Sequence, residues 1–273
     1  DAMLDWFHIS SPDAIYRNGV PSDLMAAEGK HGRWYGKPTE KSFDIKTGLR
    51  KLLLLDDTFL VHAFYRYLAD QDPADQRLVN AFHATLWRRE NRERTSRPGD
   101  GSIASVDAYL EKQPGLRSDL IDLFRWLLRE TPPSSSKCFS QTGALRLHAA
   151  YSRDQIFTML GLGTFDKPKM SREGVYHHAG MKCDLFFVDI NKEESDFSPT
   201  TMYEDYAVTD SRFHWQSQST TSESSETGQR YIHHRERNYT PFLFFREHKK
   251  LANGLTSPYF FAGPLKYVRH EGS

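Results

Sequence analysis

The chain has few cysteines and no long apolar run. Its 273 residues include two cysteines, Cys138 and Cys183, which lie far apart and outside any CxxC pattern. This spacing argues against a disulfide framework and against a zinc site with thiolate ligands. No apolar run approaches the roughly 18 residues that a membrane-spanning helix needs, and no secretory signal opens the sequence. These absences predict a protein of a reducing, cytoplasmic setting with no metal and no other cofactor.

The sequence also lacks the common motifs of nucleotide-binding and hydrolytic enzymes. Gly36-Lys37 is followed by proline and lacks the glycine that the motif requires five residues before Gly36, so it is not a phosphate-binding P-loop. Neither the HExxH metalloprotease motif nor the GxSxG hydrolase motif occurs. The histidine pairs 177–178 and 233–234 have no carboxylate or cysteine spaced as in known metal sites, and we expect both pairs to be exposed to solvent. No catalytic residue and no metal ligand is therefore predicted.

The formal net charge is zero, but the charges are unevenly distributed along the chain. Residues 192–226 carry two Lys or Arg against eight Asp or Glu, whereas residues 229–250 carry six against two. Only local patches can therefore attract a polyanion such as DNA. Residues 88–97 carry five Arg against two Glu. That run is either a solvated surface or a contact for DNA phosphates or a neighbouring domain.

The first half of the sequence has helical periodicity. Apolar residues recur every three, four or seven positions over residues 44–68, and Asp56-Asp57-Thr58 provides a cap in the middle, which predicts two helices. Further helices are predicted over residues 74–91, with Asp72 as cap, and over residues 102–113 and 117–130, with Pro114-Gly115 as the stop between them. The Pro- and Ser-rich segment 131–136 is the domain boundary. Residues 1–135 are thus predicted to form a helical domain.

The second half has the pattern of β-strands. Strands are predicted at residues 184–190, 213–220, 239–247 and within 258–268, and a short helix is predicted to begin at Ser152. Residues 145–273 are therefore predicted to form a mainly β domain, as a curved sheet or a small barrel. The predicted fold class is α+β, with an all-α domain followed by this β domain.

The segment FHWQSQST, residues 213–220, has more amides and hydroxyls than a strand that only fills a core. Alternation along an extended segment separates its side chains into two rows. One row consists of Phe213, Trp215, Ser217 and Ser219, and the other of His214, Gln216, Gln218 and Thr220. The second row is an uncharged line of hydrogen-bonding groups. Such a line suits the recognition of polar edges, for example those of bases.

Glu247-His248-Lys249 follows an apolar strand and resembles the ExK half of a nuclease metal site. Asp184 or Asp189 would have to supply the second carboxylate, and neither belongs to a PD pair. The alternative is that these charges only end a buried strand.

Several motifs from Tyr151 onward resemble one known family. They are YSRDQIFTMLG, DLFFVDINKEE, SPTTMYEDYAV, FHWQSQSTTS, TGQRYI and PYFFAGPLKYVRHEG, which follow one another over residues 151–272. They resemble the C-terminal region, long filed as a domain of unknown function, of bacterial DEAD/DEAH-type helicases that often carry an N-terminal phospholipase-D-type nuclease. SauUSI-like type IV restriction enzymes have this architecture. The resemblance covers residues 146–273, and the helical half resembles the coupler domain of that family through less specific motifs.

The resemblance implies an SRA-like or PUA-like target-recognition domain that binds duplex DNA containing 5-methyl- or 5-hydroxymethylcytosine, by base flipping. It also implies that ATP hydrolysis and DNA cleavage belong to helicase and nuclease domains of a longer parent chain, so this fragment is expected to bind DNA without cutting it. Homodimerisation is a further expected contact. Two alternatives stay open, a protein-interaction or dimerisation module of a helicase and a metal-dependent nuclease that uses Glu247 and Lys249.

A pocket for a flipped base needs aromatic faces, an acceptor for the cytosine amino group and phosphate contacts. The candidate base-reading residues are Tyr203, Asp205, Tyr206, His214, Trp215, Gln216, Ser217, Gln218 and Ser219. The candidate phosphate-binding residues are Thr220, Thr227, Gly228, Arg230, Arg235, Arg237, Lys249 and Lys250. Phe213 and Trp215 also fit core positions, and Asp205 also fits a cap or a pair with Arg212.

Overall fold

The protein divides into two compact units, Asp1–Ser134 with Arg153–Lys169 and Ser135–Ser152 with Met170–Ser273. The computed structural model describes residues 46–70, 75–87, 102–164, 167, 169, 171, 173–191, 205–217 and 221–271. Over these ranges the chain is a mixed α+β protein with seven helices and a five-stranded mixed sheet. No helix within the same ranges is long and apolar enough to cross a membrane.

The first unit consists of helices. They are α1 (Lys46–Leu52), α2 (Thr58–Leu68), α3 (Gln76–Leu86), α4 (Ile103–Glu111), α5 (Pro114–Glu130) and α6 (Arg153–Met159). Asp57 caps the start of α2 as predicted, because its side chain accepts hydrogen bonds from the backbone amides of Phe59 and Leu60. Such a cap satisfies amides that have no partner within the helix.

Two predicted helix boundaries differ from the structure. Helix α3 is capped by Asp75, whose carboxylate accepts from the amide of Arg77, while Asp72 lies outside the described residues. Helix α4 ends at Glu111, before Pro114 as predicted, but the next helix was predicted to begin at residue 117 and begins at Pro114. Proline is tolerated there since the amide it lacks would have no partner within the helix.

Three phenylalanines from different helices form the centre of the first unit. The ring of Phe64 meets those of Phe82 and Phe124 edge-on, with centroids 5.4 and 5.7 Å apart. Helix α6 joins this unit because the buried amide of Gln155 donates to Thr85 Oγ1 at 3.0 Å. A short helix that lies in sequence between strands of the second unit thus belongs to the first.

The second unit is built on a sheet. Its strands are β1 (Ala150–Tyr151), β2 (Val175–His178), β3 (Cys183–Asp189), β6 (Thr240–Arg246) and β7 (Tyr259–Pro264). Their order is β1-β7-β6-β3-β2, in which β3 and β6 are parallel and the other neighbours antiparallel. A separate hairpin pairs β4 (Tyr206–Thr209) with β5 (Arg212–His214), and α7 spans Glu226–Ile232. Among the described strands there is a sheet and no closed barrel, so the barrel form of the prediction is wrong for these residues.

The sheet is apolar on both faces. The face that carries Asp184, Phe186 and Val188 is here named the hairpin face, because residues of the β4–β5 hairpin pack on it. Phe186 pairs in register with Leu243 of β6 on this face.

On the opposite face, Phe244 stacks on Phe261 with centroids 4.5 Å apart. The charged pair of Arg246 and Asp189 lies at one end of that face. Burial of one such phenylalanine side chain stabilises a fold by roughly 1.5–3 kcal/mol.

The predicted strand 213–220 is shorter than expected. Strand β5 ends at His214, residues 215–217 have no regular structure, and residues 218–220 lie outside the described ranges. A full strand was predicted because alternation continues after His214. Regular pairing ends there because Tyr206, the first residue of β4, is the last partner across the hairpin.

Candidate functional site

Two aromatic side chains anchor the β4–β5 hairpin on the hairpin face. The ring of Trp215 meets Phe186 edge-on at a centroid distance of 4.6 Å and Tyr231 of α7 at 5.6 Å. Phe213 packs against the same cluster and is half-buried, like Trp215. This is the packing expected of core residues, and it fixes the orientation of the hairpin above β3.

Asp205 ties down the base of the hairpin. The residue is buried, and its carboxylate accepts a hydrogen bond from the backbone amide of Gln216 at 2.9 Å. The contact joins the residue before β4 to the segment after β5, which is the role of a cap. A contact between Asp205 and a cytosine amino group stays a prediction.

The outer side of the hairpin exposes an aromatic pair. Tyr206 and His214 are directly paired across the two strands, and their rings stack with centroids 4.9 Å apart and planes 27° apart. Tyr206 is 48% exposed and neighbours the exposed Val208. The side chain of Gln216 is exposed beyond this pair. Alternation thus predicts the inward and outward residues of this segment correctly as far as Gln216.

Of the other candidate base-reading residues, Ser217 makes one long hydrogen bond and the rest lie outside the described ranges. The hydroxyl of half-buried Ser217 donates to the carbonyl of Thr221 at 3.5 Å, the limit of a hydrogen bond. Tyr203, Gln218, Ser219 and Thr220 lie outside the described residues. Their assigned roles stay predictions.

A buried ion pair lies two residues along β3 from Phe186. Asp184 accepts from Arg230 of α7 through both carboxylate oxygens, with Nε and one terminal nitrogen each at 3.1 Å. The two side chains are 2% and 11% exposed. Burial alone would lower the pKa of Arg230, but the hydrogen bonds and the charge of Asp184 outweigh burial and raise it. Arg230 is therefore charged at neutral pH.

His177 completes this cluster from the edge strand β2. Its Nδ1 lies 2.9 Å from Asp184 Oδ1, and its ring stacks on Tyr239 with centroids 5.4 Å apart. The His177 side chain is 37% exposed. Tyr231 lies beside the same pair, and burial, followed by the charge of Asp184, raises its pKa. Asp184 thus connects an exposed histidine to a buried arginine.

The candidate phosphate-binding residues occupy different parts of the second unit. Arg235 and Arg237 are exposed in the turn before β6, whereas half-buried Lys249 and exposed Lys250 follow its other end. Because β6 has seven residues, the two groups are separated by roughly 20 Å. They can therefore contact only different phosphates of one duplex.

The remaining phosphate candidates lie on α7. Two nitrogens of the Arg230 guanidinium donate to Asp184, as described above. The amide of Gly228 donates to the capping Ser225 hydroxyl at 3.0 Å, one residue after half-buried Thr227. A side chain at position 228 would collide with the carbonyl oxygen of Ser222, which explains the glycine. Phosphate contacts by Thr227, Gly228 and Arg230 stay predictions.

The arrangement around Glu247 offers little to a nuclease site. Asp184 and Asp189 are directed to opposite faces of the sheet, and each is bonded to an arginine. Glu247 is exposed just after β6. Within the described ranges no group of three or more His, Cys, Asp or Glu side chains is placed to hold a metal ion.

Sequence reasoning did not single out His177 or Tyr239 and considered Asp184 only for a nuclease. A signal was present, since a carboxylate within the apolar run DLFFVDI requires a buried partner. The expectation that both histidine pairs are exposed is wrong. His234 is buried, and its Nε2 accepts from the amide of Tyr267 at 3.2 Å.

Comparison with known proteins gives one family. Residues 145–273 match the family described as a domain of unknown function, DUF3427. The matched range includes α6, which packs in the first unit, and the whole sheet of the second. A comparison with curated proteins gives no significant match.

Proposed function

We propose that this chain is the DNA-binding target-recognition part of a type IV, modification-dependent restriction enzyme, and that it reads 5-methyl- or 5-hydroxymethylcytosine in duplex DNA by base flipping. The observation that carries the proposal is the exposed Tyr206–His214 pair on a hairpin that Trp215 anchors to the sheet. The ligand class comes from the resemblance of the motifs SPTTMYEDYAV and FHWQSQSTTS to such enzymes.

An exposed aromatic pair is a suitable surface for a nucleobase. Stacking of a base on an aromatic side chain contributes roughly 1–3 kcal/mol and does not depend strongly on the base. Discrimination then requires hydrogen bonds to the base edge, for which the exposed amide of Gln216 has both a donor and an acceptor. The hydrogen bond from the backbone amide of Gln216 to Asp205 holds Gln216 next to the aromatic pair.

Basic residues near α7 supply the affinity that is independent of sequence. Arg235 and Arg237 follow Tyr231, which contacts the hairpin anchor Trp215. Each phosphate that a basic side chain neutralises releases counterions, so binding weakens as salt rises. In this proposal Arg230 orients the site through Asp184, and the exposed arginines contact the backbone.

The proposal also assigns a fold type to the second unit and places this chain within a longer parent protein. The second unit is taken as an SRA-like recognition domain, and the helical unit as a coupler to helicase and nuclease domains elsewhere in the parent protein. ATP hydrolysis and cleavage are assigned to those domains, so this chain binds DNA without a cofactor.

Fluorescence anisotropy with three matched duplexes tests the proposal. One duplex carries a central 5-methylcytosine, one 5-hydroxymethylcytosine and one cytosine, all at moderate salt. The chain should bind at least one modified duplex more tightly than the unmodified one. Tyr206→Ala should lower that affinity about tenfold, the loss expected for one stacked base, whereas Phe59→Ala, which removes an aromatic 45% exposed in the first unit, should not.

The same assay separates the alternatives. Equal affinity for all three duplexes would refute the reading of modified cytosine. No binding to any duplex would favour a protein-interaction module. Metal-dependent cutting by this chain alone would favour the nuclease that uses Glu247 and Lys249.

A further inference from the structure

We infer that His177 is a DNA-phosphate contact whose strength depends on protonation of its ring, and that Asp184 and Arg230 are its positioning pair. The inference rests on the proposed function and adds a residue that no motif indicates. It starts from three observations: the bond from His177 to Asp184, the partial exposure of its ring, and the basic turns beside it.

The contacts fix which ring nitrogen of His177 carries a proton. Both oxygens of the Asp184 carboxylate accept charge-assisted hydrogen bonds from Arg230. An ionised carboxylate can only accept, so Nδ1 of His177 must donate to it at 2.9 Å. The described residues provide no hydrogen bond to Nε2 of this half-exposed ring. Nε2 is an acceptor in the neutral ring and becomes a donor, suited to a phosphate oxygen, when the ring is charged.

The groups that face His177 leave the local charge close to neutral. Asp184 from β3 and Arg230 from α7 compensate each other, while Tyr239 contributes an aromatic face. On its own strand, burial and then the proximity of His177 lower the pKa of His178. A charged His177 ring would therefore add a net positive charge at this point.

Basic residues lie in the two turns that precede Asp184 and Tyr239, the residues that hold the ring of His177. Lys182 precedes β3, and Arg235 and Arg237 precede Tyr239; all three are exposed, and the Thr240 amide joins the two turns through the Lys182 carbonyl at 3.0 Å. Glu236 is the acidic residue of the same turn and contacts His233. A bound phosphate, which is negatively charged, favours the charged form of the His177 ring. Proton uptake and DNA binding must then strengthen each other.

The test compares DNA affinity at two pH values and constant ionic strength. Dissociation constants for the 5-methylcytosine duplex are measured at pH 6.0 and 8.0 for the wild type, His177→Asn, His177→Gln and His178→Asn. Uptake of one proton allows up to tenfold per pH unit, so we expect wild-type binding to weaken about tenfold between the two pH values. His177→Asn keeps a donor for Asp184 but has no titrating group, so it should lose this pH dependence.

The other variants act as controls. His177→Gln places a neutral amide near the position of Nε2 and should bind with little pH dependence, and it decides the test where the Asn variant fails to fold. His178→Asn, at the neighbouring position on the other side of β2, should keep the wild-type ratio. Folding of each variant is checked by circular dichroism before binding is measured.

The outcomes are distinct. A wild-type pH ratio in both His177→Asn and His177→Gln overturns the inference, even when the preference for modified DNA is present. Loss of the pH ratio in His178→Asn alone would assign the pH dependence to His178 and would also overturn the inference. Absence of DNA binding by the wild type at both pH values refutes the proposed function, and the role of His177 fails with it.

Discussion

Replacement of Asp184 by asparagine should strongly destabilise the second unit. The change preserves shape but removes the charge that faces Arg230, and both side chains are almost inaccessible, at 2% and 11% exposed. Loss of one partner from a buried pair leaves the other charge without compensation, which costs about 3–5 kcal/mol. The variant should therefore lose about 3–5 kcal/mol of unfolding free energy, a large fraction of the stability of a typical domain.

A double-mutant cycle separates the pair from the individual residues. Arg230→Met combined with Asp184→Asn leaves no unpaired charge, so it should recover about half or more of the loss. Asp122→Asn is the matched control, because its partner Arg125 and Asp122 itself are 58% and 57% exposed. An exposed pair of this kind contributes about 0–1 kcal/mol.

The assay must distinguish the two units, since each can unfold separately. Labelling with 5-fluorotryptophan and urea titration by fluorine NMR achieves this. Trp215 is the one tryptophan in the sequence of the second unit, whereas the other four of the chain, among them Trp87 and Trp126, belong to the first. Asp184→Asn should shift the transition of the Trp215 signal and leave the transitions of the Trp87 and Trp126 signals unchanged. If it shifts the Trp215 transition no more than Asp122→Asn does, Asp184 is not the ionised partner of Arg230, and its role as a positioning residue is wrong as well.

Two further predictions concern cysteine reactivity and helix capping. At pH 8 an alkylating reagent should modify exposed Cys138 rapidly and Cys183 only after unfolding, because burial shields Cys183 and raises its pKa to about 12; peptide mass spectrometry measures both rates, and fast modification of both in the native protein would contradict the structure. Asp57→Ala should destabilise the first unit by about 1 kcal/mol because two amides lose their acceptor, measured by urea titration of the first-unit tryptophan signals, where an unchanged midpoint would contradict it.

Local features of the fold were predictable, whereas its long-range pairing was not. The break between α1 and α2 follows from Asp57, and β3 follows from its apolar run, because both depend on neighbouring residues. The parallel pairing of β3 with β6 brings Phe186 beside Leu243 across 57 residues of sequence. No periodicity within either strand specifies that partner.

The same distinction applies to the candidate site. Alternation is a local property, so it correctly places Phe213 and Trp215 inward and His214 and Gln216 outward. The contact between His177 and Asp184 depends on the register of the β2–β3 hairpin, in which these residues are directly opposite. That register is set by the turn between the strands, and a histidine pair in a polar stretch gives no local sign of it.

The division of roles on the hairpin face follows from the cost of ordering side chains. Each flexible side chain that is immobilised on binding costs about 0.5–1.5 kcal/mol. Tyr206 is already stacked on His214, and His177 is already held by Asp184 and Tyr239, so this cost is reduced before a ligand arrives. The buried Asp184 should consequently affect DNA affinity by holding a binding residue in place. The exposed Tyr206 and His177 should affect it by contacting the DNA. Tyr206→Ala should then weaken DNA binding without lowering stability, whereas Asp184→Asn should lower stability and, in the fraction that stays folded, weaken the contact made by His177.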